Sequence, residues 1–214
     1  MPVGKFGADV NGTPSRVARR GSRSDVLLGS ALQLIAERGF IPTTMEDIGN
    51  AAGIKGPSVY KHYESKEQIL FVIMRSTMES LLHEHKIALA SAVGAVERFR
   101  RAVECHVRFH TRHREEAFVG NREIRNLTGE NFANVLGLRQ EYELSMRSLV
   151  LEGAKEGVFN VRSPRLVTFA ILDMGIGISS WFRADGRISE SEIVYEYGDY
   201  ALAMVGLGKQ PQQG

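Results

Sequence analysis

The chain reads as all-α, with about nine helices arranged in two units. Three observations predict this. Apolar residues recur at helical spacing almost everywhere from Ser24 onward. The six prolines, at positions 2, 14, 42, 57, 164 and 211, all stand near the ends of periodic segments. No segment keeps a two-residue apolar alternation bounded by hairpin turns, and no long internal repeat recurs.

Taken in order, residues 1–23 are rich in Gly, Pro, Ser and Arg and read as a flexible basic arm. A first helix is expected from Asp25 to Arg38, with Leu27, Ala31, Leu34 and Ile35 on one face and Gly39 as its stop. Thr44, with Asp47 three residues on, predicts a capped second helix that Gly53 ends. Gly56-Pro57 opens a short third helix running through Tyr63, because proline suits a first helical turn. Ser65, three residues before Gln68, starts a long fourth helix. Longer helices follow over 93–112, 115–127 and 130–156, the last with Val135, Leu138, Tyr142, Met146 and Leu149 facing inward. A final pair spans 164–183 and 189–206, separated by the turn residues Arg183 to Arg187. The resulting division is an arm over 1–23, a three-helix head over 24–70 and a larger helical body over 71–214.

Composition narrows the class. With 43% hydrophobic and 24% charged residues the chain is an ordinary globular one. Cys105 is the single cysteine, which excludes an internal disulfide and a cysteine-only zinc site. The first ten residues lack the apolar run of a signal peptide. The most apolar stretch, Leu166 to Phe182, falls short of the roughly 20 residues of a membrane helix and is interrupted by Asp173. A cytoplasmic protein without a membrane partner is expected. The net charge of +2 is uneven, since residues 1–63 hold eight Lys/Arg against five Asp/Glu while the remainder holds 19 against 20. A basic end on a neutral body points to a polyanion partner at that end.

Helix, glycine turn and short helix within about 20 residues is the spacing of a helix-turn-helix. Ala51, Ala52 and Gly53 supply the small residues and the turn, and Lys55, Ser58, Tyr60, Lys61 and His62 surround the short helix. Backbone N–H groups at its start suit phosphate, and its side chains could reach base edges in the major groove. Spacing alone leaves open an αα-hairpin with a solvated polar face.

The run from Thr43 to Leu70, with its turn, its Val59-Tyr60-Lys61-His62-Tyr63 core and its Ser65-Lys66-Glu67 helix start in register, closely resembles the N-terminal signature of the TetR family of bacterial transcriptional regulators. The resemblance implies binding to double-stranded operator DNA. It places Thr44, Ser58, His62 and Lys66 at the phosphate backbone and Gly56, Pro57, Tyr60 and Lys61 where the family reads bases, with Val59 and Tyr63 in the local core. Arg16, Arg19, Arg20 and Arg23 of the arm could enter an adjacent minor groove or merely solubilise the chain.

For the body, the resemblance implies a ligand pocket and a homodimer formed through helices 164–183 and 189–206. The first is apolar nearly all round and so is expected to be covered on both sides; the second carries a stripe of Ile193, Tyr197, Tyr200, Ala201 and Met204. Intramolecular core is the plainer alternative. Residues 115–143 and 181–190 more loosely resemble TetR regulators of fatty-acid and steroid catabolism, some of which respond to acyl-CoA thioesters. That implies a hydrophobic small-molecule effector, with His106, Phe109, His110, Phe118, Arg122, Arg125 and Trp181 as candidate pocket residues. Arg139 is a further candidate, although its spacing to Glu143 suits an intrahelical ion pair. His106, His110 and His113 share helical spacing, which would suit a metal only if another helix supplied a carboxylate; buried polar lining is the simpler reading, and no metal is expected. Cys105 reads as a small buried hydrophobe. With no G-x-S-x-G elbow, Walker loop or H-E-x-x-H zinc helix, neither enzyme activity nor a cofactor is expected. The rival readings are a helical ligand-binding module without DNA activity and a TetR-type efflux regulator that responds to drug-like compounds.

Overall fold

A computed structural model describes residues 22–208; the side chains of Gly56 and Pro57 lie outside the described set, as do Arg16, Arg19 and Arg20 of the arm. The described residues form helices α1 (Arg23–Arg38), α2 (Met45–Ala51), α3 (Gly56–Val59), α4 (Lys66–Leu89), α5 (Ala95–Arg112), α6 (Arg114–Glu123), α7 (Gly129–Lys155), α8 (Pro164–Trp181) and α9 (Glu190–Met204). One 3-10 turn, Ile124–Asn126, extends α6. No strand occurs among the described residues.

Local chemistry sets the helix starts. Ser22 caps α1, accepting from the Asp25 backbone N–H while the Asp25 carboxylate accepts from Ser22 N, so α1 begins two residues earlier than the sequence suggests. Arg23, assigned to the arm by sequence, is therefore the first residue of α1. Thr44 and Asp47 build the same reciprocal cap on α2. Ser65 and Ser189 cap α4 and α9 through the N–H groups of Gln68 and Glu192. Gly53 makes the turn between α2 and α3 at φ +67°, a conformation that side chains with a Cβ disfavour.

Three cores hold the helices. Leu27, Ala31, Ile48, Val59, Tyr63 and Ile69 form the core of the three-helix head. Phe99, Val103, Met146, Leu149, Ile171 and Ile178 belong to the core of the body. Between them Ile35, Phe40, Leu70, Met74, Val119 and Val135 make a third cluster, drawn from α1, the loop after it, α4, α6 and α7. Head and body are thus joined by packed hydrocarbon, through the long α4 and through α1 lying on α6.

The last two helices differ from their sequence reading. α9 packs chiefly along α5 and touches α8 little. Ile193 and Ala201 are buried there, whereas Tyr200 and Met204 turn outward, so the predicted single stripe splits between two faces. On α8, Ile171, Leu172 and Ile178 are buried, while Leu166, Phe169 and Trp181 are uncovered in the isolated chain. Among the described residues no helix is long and apolar enough to cross a membrane.

Candidate DNA-binding head and effector cavity

The buried side chains of α3 fix which of its residues face outward. Val59 and Tyr63 lie in the head core, and the Tyr63 hydroxyl bonds Ser24. Lys55, Tyr60, Lys61 and His62 are consequently exposed and Ser58 is half-buried. The regular part of α3 is a single turn. His62 N–H bonds Val59 O at i+3, so the predicted extension to Tyr63 is a tightened turn.

Two predicted phosphate contacts are otherwise engaged. The Lys66 ammonium donates to Phe40 O at 2.6 Å, Ile41 O at 3.0 Å and Thr43 O at 2.6 Å, using all three of its hydrogens. It also sits 4.3 Å from the centre of the Phe40 ring. Partial burial lowers its pKa from the ordinary lysine value, with Asp47 opposing that shift. Thr44 Oγ1 donates to the Asp47 carboxylate at 2.8 Å and accepts from Asp47 N. Both side chains thus brace the segment leading into α2, and neither presents a free hydrogen to phosphate in this arrangement.

In the body, α4 to α8 surround a cavity of about 160 Å³. Its apolar wall includes Met74, Met78 and Leu81 of α4, Phe109 of α5, Val135 of α7 and Ile176 of α8. Polar atoms come from Thr77, His106, His110, Asn121, Arg139 and Tyr142, with Glu116 at α6. The cavity shares Glu116 with an open depression lined by Arg112, Arg114, Phe118 and Ser180. That depression shares Arg114 and Ser180 with a second one formed by Trp181, Arg183 and Asp185. The apolar hole is thus neighboured by two open depressions that carry arginines together with acidic residues, Glu115 and Asp185 among them, and by Trp181, which is 46% exposed.

The polar side of the cavity is a tight network. His106 contacts the Tyr142 hydroxyl through Nδ1 at 3.0 Å and Leu172 O through Nε2 at 3.1 Å. His110 Nδ1 reaches the His106 carbonyl at 2.8 Å. Burial drives the His106 pKa well below its usual value and that of His110 down to about 4, so both rings are neutral at pH 7. Arg139 donates to Gly120 O at 2.7 Å, and burial lowers its pKa. The expected Arg139–Glu143 pair does not form, since Glu143 instead lies 3.5 Å from Arg147. Cys105 is buried beside this network, and burial pushes its thiol pKa up to about 11. Among the described residues no three His, Cys, Asp or Glu side chains converge to hold a metal ion.

The family model described as "Bacterial regulatory proteins, tetR family" matches residues 27–73, and "Tetracyclin repressor-like, C-terminal domain" matches residues 92–205. The chain belongs to the TetR family. It is a DNA-binding transcriptional regulator, as the helix-turn-helix head requires. The HTH-type transcriptional repressor KstR2 of Rhodococcus jostii is 26% identical over 83% of this chain and 88% of its own. KstR2 of Mycolicibacterium smegmatis is 26% identical over 94% and 96%. Among solved structures, a TetR-family regulatory protein from Rhodococcus RHA1 superposes with a TM-score of 0.83 at 27% identity, covering 88% of this chain and all of that one. AibR in complex with isovaleryl coenzyme A and operator DNA superposes at 0.76 with 26% identity, covering 86% and 98%.

Within this TetR chain, the cavity gathers His106, Phe109, His110 and Arg139 from the sequence-predicted ligand residues. It leaves out the others. Phe118 and Arg122 lie together, the guanidinium 4.8 Å from the ring centre, and Arg125 is exposed on the 3-10 turn. Trp181 belongs to the second depression. The sequence reading missed Met74, Thr77, Met78 and Leu81, whose i, i+3, i+4, i+7 spacing on α4 is itself the signal of a shared face. It also missed Ala117 and Gly120, the small residues on the inner face of α6.

Proposed function

We propose that the chain is a homodimeric cytoplasmic repressor released from a near-palindromic operator by a hydrophobic effector, an acyl-CoA thioester being the class that fits best. The carrying observation is an apolar cavity that neighbours, through Glu116, the depressions carrying Arg114, Trp181 and Arg183. A short acyl group belongs in the hole, which is too small for a whole coenzyme. A phosphorylated, aromatic remainder suits arginines next to an exposed indole. AibR, similar over nearly its whole length, was crystallised with an acyl-CoA and operator DNA, which supports the reading.

Lys55, Ser58, Tyr60, Lys61 and His62 are the DNA contacts we favour, with Gly56 and Pro57 at the close approach to bases. Thr44 and Lys66 act as braces. The uncovered Leu166, Phe169, Tyr195, Tyr200 and Met204 supply an apolar surface of the kind that a second copy buries. Two heads must then meet half-sites one DNA turn apart. An effector that binds more tightly by a few kcal/mol to a body holding the heads at another spacing empties the operator.

Native mass spectrometry of the purified protein with promoter-proximal DNA and an acyl-CoA panel tests this. A dimer that binds DNA and loses it with one thioester is expected. A dimer that holds DNA against every thioester removes the lipid reading, and a monomer or a protein indifferent to DNA removes the repressor scheme.

A further inference from the structure

Three polar groups on the cavity wall, Thr77, His110 and Tyr142, have their hydrogens committed to the protein. A backbone carbonyl only accepts, so His110 Nδ1, 2.8 Å from His106 O, carries the ring hydrogen and Nε2 is left with a lone pair. Likewise His106 Nε2 donates to Leu172 O, which makes its Nδ1 the acceptor for the Tyr142 hydroxyl. Thr77 Oγ1 donates to Ile73 O at 2.8 Å. Tyr142, Thr77 and His110 therefore turn oxygen or nitrogen lone pairs, not hydrogens, toward whatever enters. His110 is 5% exposed, lines the cavity, and its Nε2 has no hydrogen-bond partner among the described residues. The lining also holds Glu116 and a donor, the Arg139 guanidinium, which is bonded to Gly120 O.

We propose that the cavity selects a compact, uncharged apolar group bearing a hydroxyl or N–H, which donates to His110 Nε2, while any carbonyl of the same ligand lies toward Arg139. A ketone or carboxylate oxygen placed at His110 would meet lone pairs and leave a buried acceptor unpaired, which binding sites discriminate against strongly. The volume of about 160 Å³ sets the size, since an apolar cavity of about 150 Å³ holds one benzene. A hydroxylated six-membered ring or short branched hydroxyacyl chain fits. This inference deepens the effector reading and rests on it for its place in regulation.

Calorimetric titration of the full-length protein with cyclohexanol, cyclohexanone and methylcyclohexane separates the outcomes without DNA. Cyclohexanol is expected to bind about tenfold more tightly than cyclohexanone, and His110→Phe to abolish that preference while methylcyclohexane binding holds. Nitrogen-15 NMR of the wild-type imidazoles needs no variant: the Nδ1–H tautomer at His110, with an Nε2 shift on adding cyclohexanol, is the expected result. Equal or tighter binding of the ketone, an Nε2–H tautomer, or no binding of either ring overturns the proposal. Absence of operator binding in the same preparation would instead remove the regulator reading and leave the alcohol preference intact.

Discussion

His106 donates to Leu172 O only because residue 175, one turn further along α8, has no side chain. A methyl at Gly175 would lie 2.2 Å from His106 Cδ2 and 2.5 Å from its Nε2, so the ring would have to leave. Gly175→Ala is expected to cost about 2–3 kcal/mol through overpacking and lost hydrogen bonds, lowering the melting temperature by roughly 4–10 °C. In a His106→Ala background the same change should cost much less, and a double-mutant cycle of thermal unfolding reads the difference. Lys66 makes the same point about allocation. Its hydrogens hold the carbonyls of residues 40, 41 and 43, so Lys66→Ala should destabilise the head by about 1–3 kcal/mol. The slope of log operator affinity against log salt should stay unchanged for Lys66→Ala, whereas Lys61→Ala should reduce binding selectively at the operator, as isotherms at several salt concentrations would show.

At the scale of elements, caps and stops made the helices legible. Thr44–Asp47 and Ser65–Gln68 mark their helix starts in the sequence, and the folded chain makes those same hydrogen bonds. The site was less legible because a sequence gives the period of a helix but not the direction its faces point. On α6, Glu116, Ala117, Gly120 and Asn121 line the cavity. Phe118 and Arg122, with Arg125 on the turn beyond, are bulkier and more suggestive of ligand chemistry but follow the other face, and only packing against α8, α1 and α4 decides between the two. That packing also makes α6 the physical link between cavity and head. Val119 is 1% exposed in the cluster that contains Ile35 of α1 and Leu70 of α4. Val119→Ala removes two methyl groups there and should cost about 1–2 kcal/mol. If α6 carries the effector signal, the ratio of operator Kd with and without effector should shrink several-fold while effector affinity changes little. Fluorescence anisotropy with labelled operator measures that ratio, and an unaltered ratio would assign the coupling to α4 alone.

At the scale of the whole molecule, the body confines neutral imidazoles where protonated ones could not be accommodated. His85 Nε2 bonds Ser145 Oγ at 2.9 Å while its Nδ1 is buried without a partner, and burial lowers its pKa to about 4. His110 also falls to about 4, and His106 is driven well below its ordinary value by burial, with its neighbour His110 adding to the effect. In the unfolded chain each ring regains an ordinary pKa near 6.5 and binds a proton below it. The folded state then binds fewer protons than the unfolded one, so stability rises with pH across the window from about 4 to 6.5 and is fully present above it. Acidification from pH 7 should therefore lower the unfolding free energy progressively through this window, by an amount on the order of 3 kcal/mol for a ring as buried as His110, and the urea midpoint with it. His110→Phe should remove about one proton from the uptake that accompanies unfolding between pH 5 and 6, whatever its effect on stability at pH 8. Denaturation curves at several pH values give that slope directly. A slope unchanged by His110→Phe would mean that the folded ring takes up its proton near pH 6.5 like the unfolded one, and that burial does not hold it neutral through this window.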